Sequence, residues 1–246
     1  MKCTALIAAI VGLASALPNP LAPRQLNRVA RRRAGASGFN RKNVTHPSYS
    51  TNWAGAVQIG HGFTKVVGTI TVPQASGGDK AAASAWVGID GDTCGTAILQ
   101  TGIDFYGDGS FDAWYEWIPD GSYGFGDFDM AVGDQIRMTV EASSTTSGVA
   151  TVENLSNGQR VSHSFRNPPS TLCETNAEWI VEDFEVDGGL VPFANFGTVT
   201  FTDARAEGSD GTVTPAGAEI FDIVADNNVI TDCRTNGNDL VCDYIG

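Results

Sequence analysis

The stretch Ala177-Glu-Trp-Ile-Val-Glu-Asp-Phe-Glu-Val186 decides the fold, because its side chains alternate in character with a period of two. In a β-strand this period places Ile180 and Glu182 on one face, and Trp179 and Val181 on the other. One face therefore mixes acids with apolar groups, while the other is apolar at Trp179 and Val181. We predict a strand over residues 177–186 that belongs to a packed sheet.

Similar short alternating segments recur along the rest of the chain. They are rich in Val, Ile, Thr, Phe and Trp, are separated by Gly, Asn, Asp, Ser or Pro, and span residues 66–72, 112–118, 135–141, 148–153, 161–165, 197–202 and 218–224. No helical periodicity extends over a dozen residues. These patterns predict an all-β protein, an antiparallel β-sandwich or jelly roll. Asn157-Gly158 and Asn236-Gly237 indicate two hairpins.

The cysteine spacing predicts two disulfides. If Gly237-Asn238 forms a two-residue hairpin loop, Cys233 lies opposite Cys242 at a non-hydrogen-bonded position, where side chains come closest. Cys94 and Cys173 are then left to pair with each other. Zinc binding is a poorer interpretation, because the sequence has no CxxC spacing.

The N-terminal residues predict export from the cell. Residues 1–16 combine Lys2, an apolar run and a small-x-small end, which is typical of a signal peptide. The apolar run is too short to cross a membrane. We therefore expect a secreted, extracellular protein with oxidised cysteines and no membrane association. The sequon at Asn154 is a candidate glycosylation site near a hairpin.

The charge of the chain is divided sharply between its two parts. Residues 17–47 contain seven arginines and lysines and no acid, whereas the remainder from residue 48 has seven basic residues and all 28 acids, a net charge of −21. The basic segment predicts a propeptide that acts as an electrostatic inhibitor of the acidic body. A flexible spacer with a dibasic cleavage signal at residues 31–33 is an equal alternative. An anionic body argues against nucleic acid or anionic lipid as a partner. It also predicts greater stability in acid, where the carboxylates are neutralised.

Several common catalytic and metal sites lack their parts. The chain has three histidines, His46, His61 and His163, and none lies in an HExxH motif or offers a recognisable serine triad. No Asp-Thr-Gly or Asp-Ser-Gly occurs, and the acidic segment 104–112 fails the EF-hand spacing. We expect no metal and no other cofactor.

The remaining candidates for chemistry are polar side chains interleaved with aromatic residues on predicted strands. A glutamate can deprotonate water, and a glutamine can donate a hydrogen bond to a developing oxyanion. Cys94 lies six residues before Gln100, and Cys173 lies nine before Glu182, so a disulfide between them would bring the two strands together. On the residues alone, however, an isolated strand glutamate is more often simply solvated.

A resemblance to a known family assigns roles to these candidate residues. The chain from Tyr49 to its C-terminus closely resembles the glutamic peptidases, the eqolisin family, in the motifs Tyr49-Ser-Thr-Asn-Trp53-Ala-Gly-Ala-Val, Ala85-Trp-Val-Gly-Ile-Asp-Gly-Asp-Thr-Cys94, Thr96-Ala-Ile-Leu-Gln100-Thr-Gly, Asp112-Ala-Trp-Tyr-Glu-Trp117, Ala150-Thr-Val-Glu-Asn-Leu155 and Thr175-Asn-Ala-Glu-Trp-Ile-Val-Glu182-Asp-Phe-Glu. These motifs are long and ordered, so the resemblance is specific.

The resemblance implies a concanavalin-like jelly roll of two seven-stranded antiparallel sheets, formed by a catalytic domain over residues 48–246. It implies that Glu182 is the general base and acid, and that Gln100 polarises the scissile carbonyl and stabilises the oxyanion. Residues in neighbouring motifs are expected to bind substrate by shaping or tuning the cleft: Trp86, Asp90, Asp104, Trp114 and Glu116.

The expected function is therefore that of a secreted acid endopeptidase, monomeric, made as a zymogen and acting on proteins and peptides. Two alternatives use the same residues differently. In a jelly-roll glycoside hydrolase, Glu116 and Glu182 would be the carboxylate pair, with Trp114 and Trp117 stacking on sugars. A lectin-like carbohydrate-binding module would have no use for Gln100.

Overall fold

The computed structural model describes residues 48–246. The predicted signal peptide over residues 1–16 and propeptide over residues 17–47 lie outside the described residues. Among the described residues, no helix has the length and apolar character needed to span a membrane.

The first sheet carries the candidate residues and has nine strands within the described chain. Its strands are β1 (Ser48–Ser50), β2 (Trp53–Ile59), β4 (Ala82–Ile89), β5 (Ile98–Tyr106), β6 (Phe111–Ile118), β7 (Tyr123–Gly124), β11 (Asn176–Glu182), β16 (Glu219–Ala225) and β17 (Asn228–Val229). They are ordered β1-β16-β2-β11-β4-β5-β6-β7, with β17 paired to β16. Only the edge pair β1 and β16 is parallel among the pairs of this sheet within residues 48–246.

The second sheet packs against the first and has eight strands in the described part of the chain. They are β3 (Lys65–Thr71), β8 (Gln135–Ser144), β9 (Ser147–Asn154), β10 (Arg160–Arg166), β14 (Thr198–Gly208), β15 (Gly211–Val213), β18 (Thr231–Asn236) and β19 (Asp239–Tyr244). Their order is β10-β9-β8-β3-β14-β19-β18, with β15 paired to β14. A separate small hairpin joins β12 (Glu185–Val186) to β13 (Gly189–Leu190).

The predicted β-sandwich is confirmed. The strand counts exceed seven because the two-residue strands β7 and β17 extend the first sheet, and the three-residue strand β15 extends the second. The predicted hairpins join β9 to β10 and β18 to β19, and Gly158 and Gly237 adopt the positive φ that their turns require.

The main core lies between the two sheets and receives the inward face of each strand. Trp179 of β11 is fully buried there, and its indole N–H donates to the carbonyl oxygen of Val67 on the second sheet (2.8 Å). Gly68 makes room for this contact, because a Cβ there would lie 3.1 Å from the Trp179 ring and 3.0 Å from Val87. Alternation thus directs the apolar face of β11 inward, as predicted.

The strand predicted over residues 177–186 ends earlier than its alternation suggests. β11 stops at Glu182, and Asp183 donates its backbone N–H to the carbonyl oxygen of Asn52 (2.9 Å). The chain then enters the hairpin β12–β13, whose turn uses positive φ at Asp187 and Gly188. The alternation continues through this break, so the sequence pattern alone does not reveal it.

Both predicted disulfides are confirmed. Cys233 and Cys242 face each other across the β18–β19 hairpin with a Cα–Cα distance of 4.1 Å. Cys94 and Cys173 are bridged with a Cα–Cα distance of 6.0 Å. The second bridge ties the loop before β5 to the loop before β11, which are the strands of Gln100 and Glu182.

The side chain of Asn154, the candidate glycosylation site, is buried and forms hydrogen bonds within the fold. Asn154 is 1 % exposed, and its Nδ2 donates to the Asp129 carbonyl oxygen (3.0 Å) and to Asp134 Oδ2 (2.8 Å). Its Oδ1 accepts the backbone N–H of Ser156 (2.9 Å). A glycan on Nδ2 would replace the hydrogen of one of these two bonds, so the native fold disfavours the modification.

We therefore expect folded protein from a glycosylating host to carry an unmodified Asn154. Peptide mapping by mass spectrometry should recover the segment around residue 154 at its unmodified mass. Recovery of an Asn154 glycopeptide from folded protein would contradict this expectation.

Buried carboxyl groups make the fold sensitive to pH. Asp183 is 6 % exposed, and burial, followed by the nearby charge of Glu182, raises its pKa to about 7. Burial likewise raises the pKa of Asp222 to about 6, against the opposing hydrogen bonds from Cys233 and Thr231. Each raised pKa favours the protonated group in the folded state, so the stabilisation is complete below about pH 4 and is lost as pH rises through 6 to 7.

Replacing Asp183 by asparagine should reduce this loss of stability. Asparagine mimics the protonated carboxyl and cannot ionise, so the variant should melt higher than the wild type at pH 7.5 and similarly at pH 3. The ionisation penalty that it removes is at most about 4 kcal/mol, for a pKa raised by roughly three units. Thermal unfolding at both pH values measures this, with the exposed Asp210→Asn as the control. An equal pH-dependent drop in wild type and D183N would exclude Asp183 as a source of acid stability.

Candidate active site

The candidate residues lie on the outer face of the first sheet, opposite the main core. Strand register arranges them in three successive levels across β11, β4, β5 and β6. The levels are Glu182, Ser84, Asp104 and Asp112; then Ile180, Trp86, Gly102 and Trp114; then Glu178, Gly88, Gln100 and Glu116. Glu182 and Gln100 thus share one face of one sheet, with β4 between their strands and the level of Trp86 between their own levels.

A second, smaller apolar cluster covers this face. It consists of Val57, Trp86, Trp114, Ile180 and Phe221, with Trp53 packed against it. Most polar side chains beneath these aromatic rings are buried, whereas Glu182 is partly exposed. The one acid of the predicted pair is therefore accessible to substrate while its neighbours are shielded.

Three N–H donors from two segments of the chain hold the carboxylate of Glu182. Trp86 Nε1 donates to Oε2 (2.9 Å), while Trp53 Nε1 and Asn52 Nδ2 each donate to Oε1 (3.3 Å). The two indoles meet edge to face, with ring centroids 5.2 Å apart. Donors directed at both oxygens fix the orientation of the Glu182 carboxylate.

Gln100 is paired with Glu116 directly across β5 and β6. Its Nε2 donates to Glu116 Oε2 (2.5 Å), and the two residues are 3 % and 1 % exposed. The amide is therefore fixed by a neighbour from the predicted substrate-binding set.

Trp86 connects the two halves of the site. Its indole N–H binds Glu182, while its six-membered ring lies over Gly88, where an added Cβ would be 2.9 Å from Trp86 Cζ3 and 3.4 Å from Gln100 Cβ. A side chain at Gly102 would also collide with Trp86, at 2.6 Å. Gly88 thus leaves space for the Trp86 ring, and Gly102 leaves space for the Trp86 Cβ and the Trp114 ring, while strand register sets the spacing between Glu182 and Gln100.

Trp114 and Asp104 also lie on this outer face. The Trp114 indole N–H donates to Ser84 Oγ (3.3 Å). Asp104 faces Asp112 across the β5–β6 pair, and the Tyr106 hydroxyl lies within hydrogen-bond distance of both, at 3.4 Å and 3.1 Å. Asp104 lies at the level of Glu182 and Trp114 at the level of Trp86, and both side chains are buried.

Asp90 occupies a different place from the other predicted site residues. It is fully buried at the end of β4, and its carboxylate accepts backbone N–H groups from residues 173, 174, 175 and 176, at 2.7 to 3.3 Å. It thereby fixes the loop that leads into β11. Its grouping with Cys94 and Cys173 resembles a metal-ligand set only in proximity, because those two sulfurs form a disulfide.

Glu178 is a buried acid beside the site that the sequence patterns did not single out. Its Oε1 accepts the backbone N–H of Asp92 (3.1 Å), and its Oε2 has no hydrogen-bond partner among the described residues. Burial raises the pKa of Glu178 well above its ordinary value, and the charges of Asp92 and Asp90 add to this effect. The acid is therefore neutral at acidic pH, when Glu182 two residues later remains the accessible carboxyl.

Sequence reasoning also missed the roles of Asn52 and Trp53. Both lie within the first family motif, yet their contact with Glu182 depends on β2 pairing with β11. That pairing joins segments about 130 residues apart, and no local pattern indicates it.

The sandwich, with Glu182 and Gln100 on one outer face, is the arrangement expected of a glutamic-type peptidase. A family profile described as the Peptidase A4 family matches residues 51–244. The chain therefore belongs to the Peptidase A4 family, and it is an acid endopeptidase. This assignment decides against the glycoside hydrolase and carbohydrate-binding alternatives.

Individual relatives agree with the family assignment. Aspergillopepsin-2 of Aspergillus niger is 45 % identical and covers 100 % of both chains, and scytalidopepsin B of Scytalidium lignicola is 47 % identical over 98 % of this chain and 96 % of its own. A crystal structure of scytalido-glutamic peptidase with a transition state analog inhibitor matches with a TM-score of 0.77 and 49 % identity, over 79 % of this chain and 98 % of that one. Aspergilloglutamic peptidase from Aspergillus niger matches with a TM-score of 0.65 and 54 % identity, over 67 % and 99 %.

Proposed function

We propose that this acid endopeptidase is secreted as a zymogen and cleaves peptide bonds with Glu182 and Gln100 as its catalytic pair. The observation that carries the proposal is the Glu182 carboxylate, partly exposed and held by three N–H donors on the same outer face as Gln100. An ordinary carboxyl suits this task in acid, where histidine would be fully protonated.

The proposed reaction begins with ionised Glu182 removing a proton from a water molecule as the water oxygen attacks the scissile carbonyl carbon. The carbonyl π electrons move to oxygen, and the Gln100 amide donates a hydrogen bond to the resulting oxyanion. Glu182 then returns the proton to the amide nitrogen as the C–N bond breaks. The products are a carboxylic acid and an amine, and Glu182 is again ionised.

The chain as a whole supports export and acid activation. Two disulfides fit an oxidising compartment, and the basic residues 17–47 oppose a body of net charge −21. In acid, protonation of the body weakens its attraction for the propeptide and favours release. The active species is proposed to be a monomer that acts on protein and peptide substrates.

Acid treatment followed by a proteolysis assay tests this proposal. The protein should lose its basic segment, begin between residues 45 and 50, and cleave a denatured protein at pH 3 in the presence of pepstatin. N-terminal sequencing and product mapping measure the two results. Cleavage abolished by pepstatin, or absent after propeptide removal, would refute the proposed mechanism.

A further inference from the structure

Gln100 has a chemically asymmetric side chain whose two ends have nearly the same shape. Its Nε2 donates hydrogen bonds, and its Oε1 accepts them. Rotating the amide by 180° would exchange the two ends with little change in volume. For oxyanion stabilisation this rotation is decisive, because an amide oxygen directed at a developing negative charge repels it.

The contact with Glu116 distinguishes these two orientations. Glu116 Oε2 accepts the hydrogen bond from Nε2, and an unprotonated oxygen at this position would repel Oε1. Both side chains are almost fully buried, where a hydrogen bond is stronger than in water. Their strand positions are directly opposite, so backbone pairing fixes the distance between them.

The other end of the amide shows that this orientation is imposed. Within residues 48–246, the buried Gln100 Oε1 has no hydrogen-bond partner. Leaving a buried acceptor unpaired is energetically unfavourable. The contact with Glu116 keeps Nε2 in place despite this cost.

We infer that Glu116 is a positioning residue that fixes the amide orientation of Gln100 for oxyanion stabilisation. The inference rests on the proposed function, because it gives Gln100 the oxyanion contact. Glu116 itself acts through Gln100 and transfers no proton. This role differs from that of a carboxylate in a glycoside hydrolase pair, and also from a direct contact with substrate.

Comparison of Glu116→Leu with Glu116→Gln tests the inference. Leucine removes the acceptor, so the amide can rotate, and kcat should fall about 10- to 100-fold while KM changes less than about 2-fold. Glutamine restores an acceptor oxygen, so E116Q should recover at least about a third of the wild-type kcat. The exposed Glu207→Leu is the matched control, and kcat is expressed per folded molecule after thermal melts of each variant.

Nuclear magnetic resonance of the Gln100 side chain gives a readout independent of activity. The described chain has five glutamines, so the Gln100 NH2 signals can be assigned by their loss in Gln100→Ala. One proton should be shifted downfield by the carboxylate in wild type, should return toward the values of exposed glutamines in E116L, and should stay downfield in E116Q. A merely structural Glu116 would lower the melting temperature without this selective change in kcat.

Each contrary outcome has a distinct meaning. Unchanged kcat in E116L, with E182Q inactive, would overturn the positioning role alone. An inactive but folded E116Q would show that the carboxylate itself is required, which also overturns it. Full activity in folded E182Q and Q100A would instead overturn the proposed function, whatever the Gln100 resonances show.

Discussion

Replacing Glu182 by glutamine should lower kcat by about 10³-fold or more. The substituted amide cannot accept a proton from water or return one to the departing amine, and such proton transfers contribute about 10² to 10⁴ in rate. Steric volume is almost unchanged, so substrate should still bind with a KM close to that of the wild type. Steady-state cleavage of a peptide at pH 3 measures both constants.

The environment of Glu182 requires a folding control for this experiment. Its two oxygens accept three N–H groups, so a glutamine NH2 must face at least one donor and will weaken the local network. A thermal melt at pH 4 should nevertheless show a folded variant, and the exposed Glu207→Gln should keep full activity. Folded E182Q with more than about 1 % of wild-type kcat would remove Glu182 from the mechanism.

Replacing Gln100 by alanine should lower kcat by about 10² to 10³-fold, which is typical for the loss of one oxyanion donor. The amide does not titrate in acid, so its contribution should be the same at every pH at which the enzyme works. The ratio of wild-type to Q100A kcat should therefore stay constant between pH 2.5 and 5. This constancy separates an electrostatic donor from a proton-transfer group.

The exposed Gln74→Ala provides the matched control, because it removes the same side chain from a surface loop. It should match wild type in kcat, KM and pH profile. Q100A activity that recovers toward wild type at one end of the pH range would indicate that Gln100 acts through a titrating neighbour instead. Activity of Q100A within about 3-fold of wild type would exclude the oxyanion role altogether.

Local patterns predicted the strands, the hairpins and the Cys233–Cys242 disulfide because each depends on few neighbours in the chain, whereas the Cys94–Cys173 disulfide followed by elimination. The alternation in residues 177–182 fixes which side chains of β11 share a face, and the loop at Gly237 fixes the register that joins Cys233 to Cys242. Gln100 and Glu182 were singled out through family motifs, since an isolated glutamate or glutamine on a strand carries no distinctive pattern. Their catalytic roles remain predictions that the variants above test.

The contacts of individual polar side chains could not be predicted, because the same residue type can bind substrate, carry a modification or hold a loop. Asn154 fits a glycosylation sequon, yet its buried amide bonds Asp129 and Asp134. Asp90 fits a predicted substrate-binding set, yet its carboxylate holds the loop before β11. Which partner a polar group meets depends on segments that are distant in sequence.

The sequence by itself determined an anionic β-sandwich, its cysteine pairing and the face that carries Glu182, because side-chain alternation and hairpin geometry act over a few residues. Only the tertiary structure decided that Asn52, Trp53 and Trp86 converge on the Glu182 carboxylate and that Glu116 holds Gln100. Strand order places β11 between β2 and β4, and β5 beside β6. That order arises from packing of the whole sandwich, so hydrogen bonds across it are specified by the entire fold.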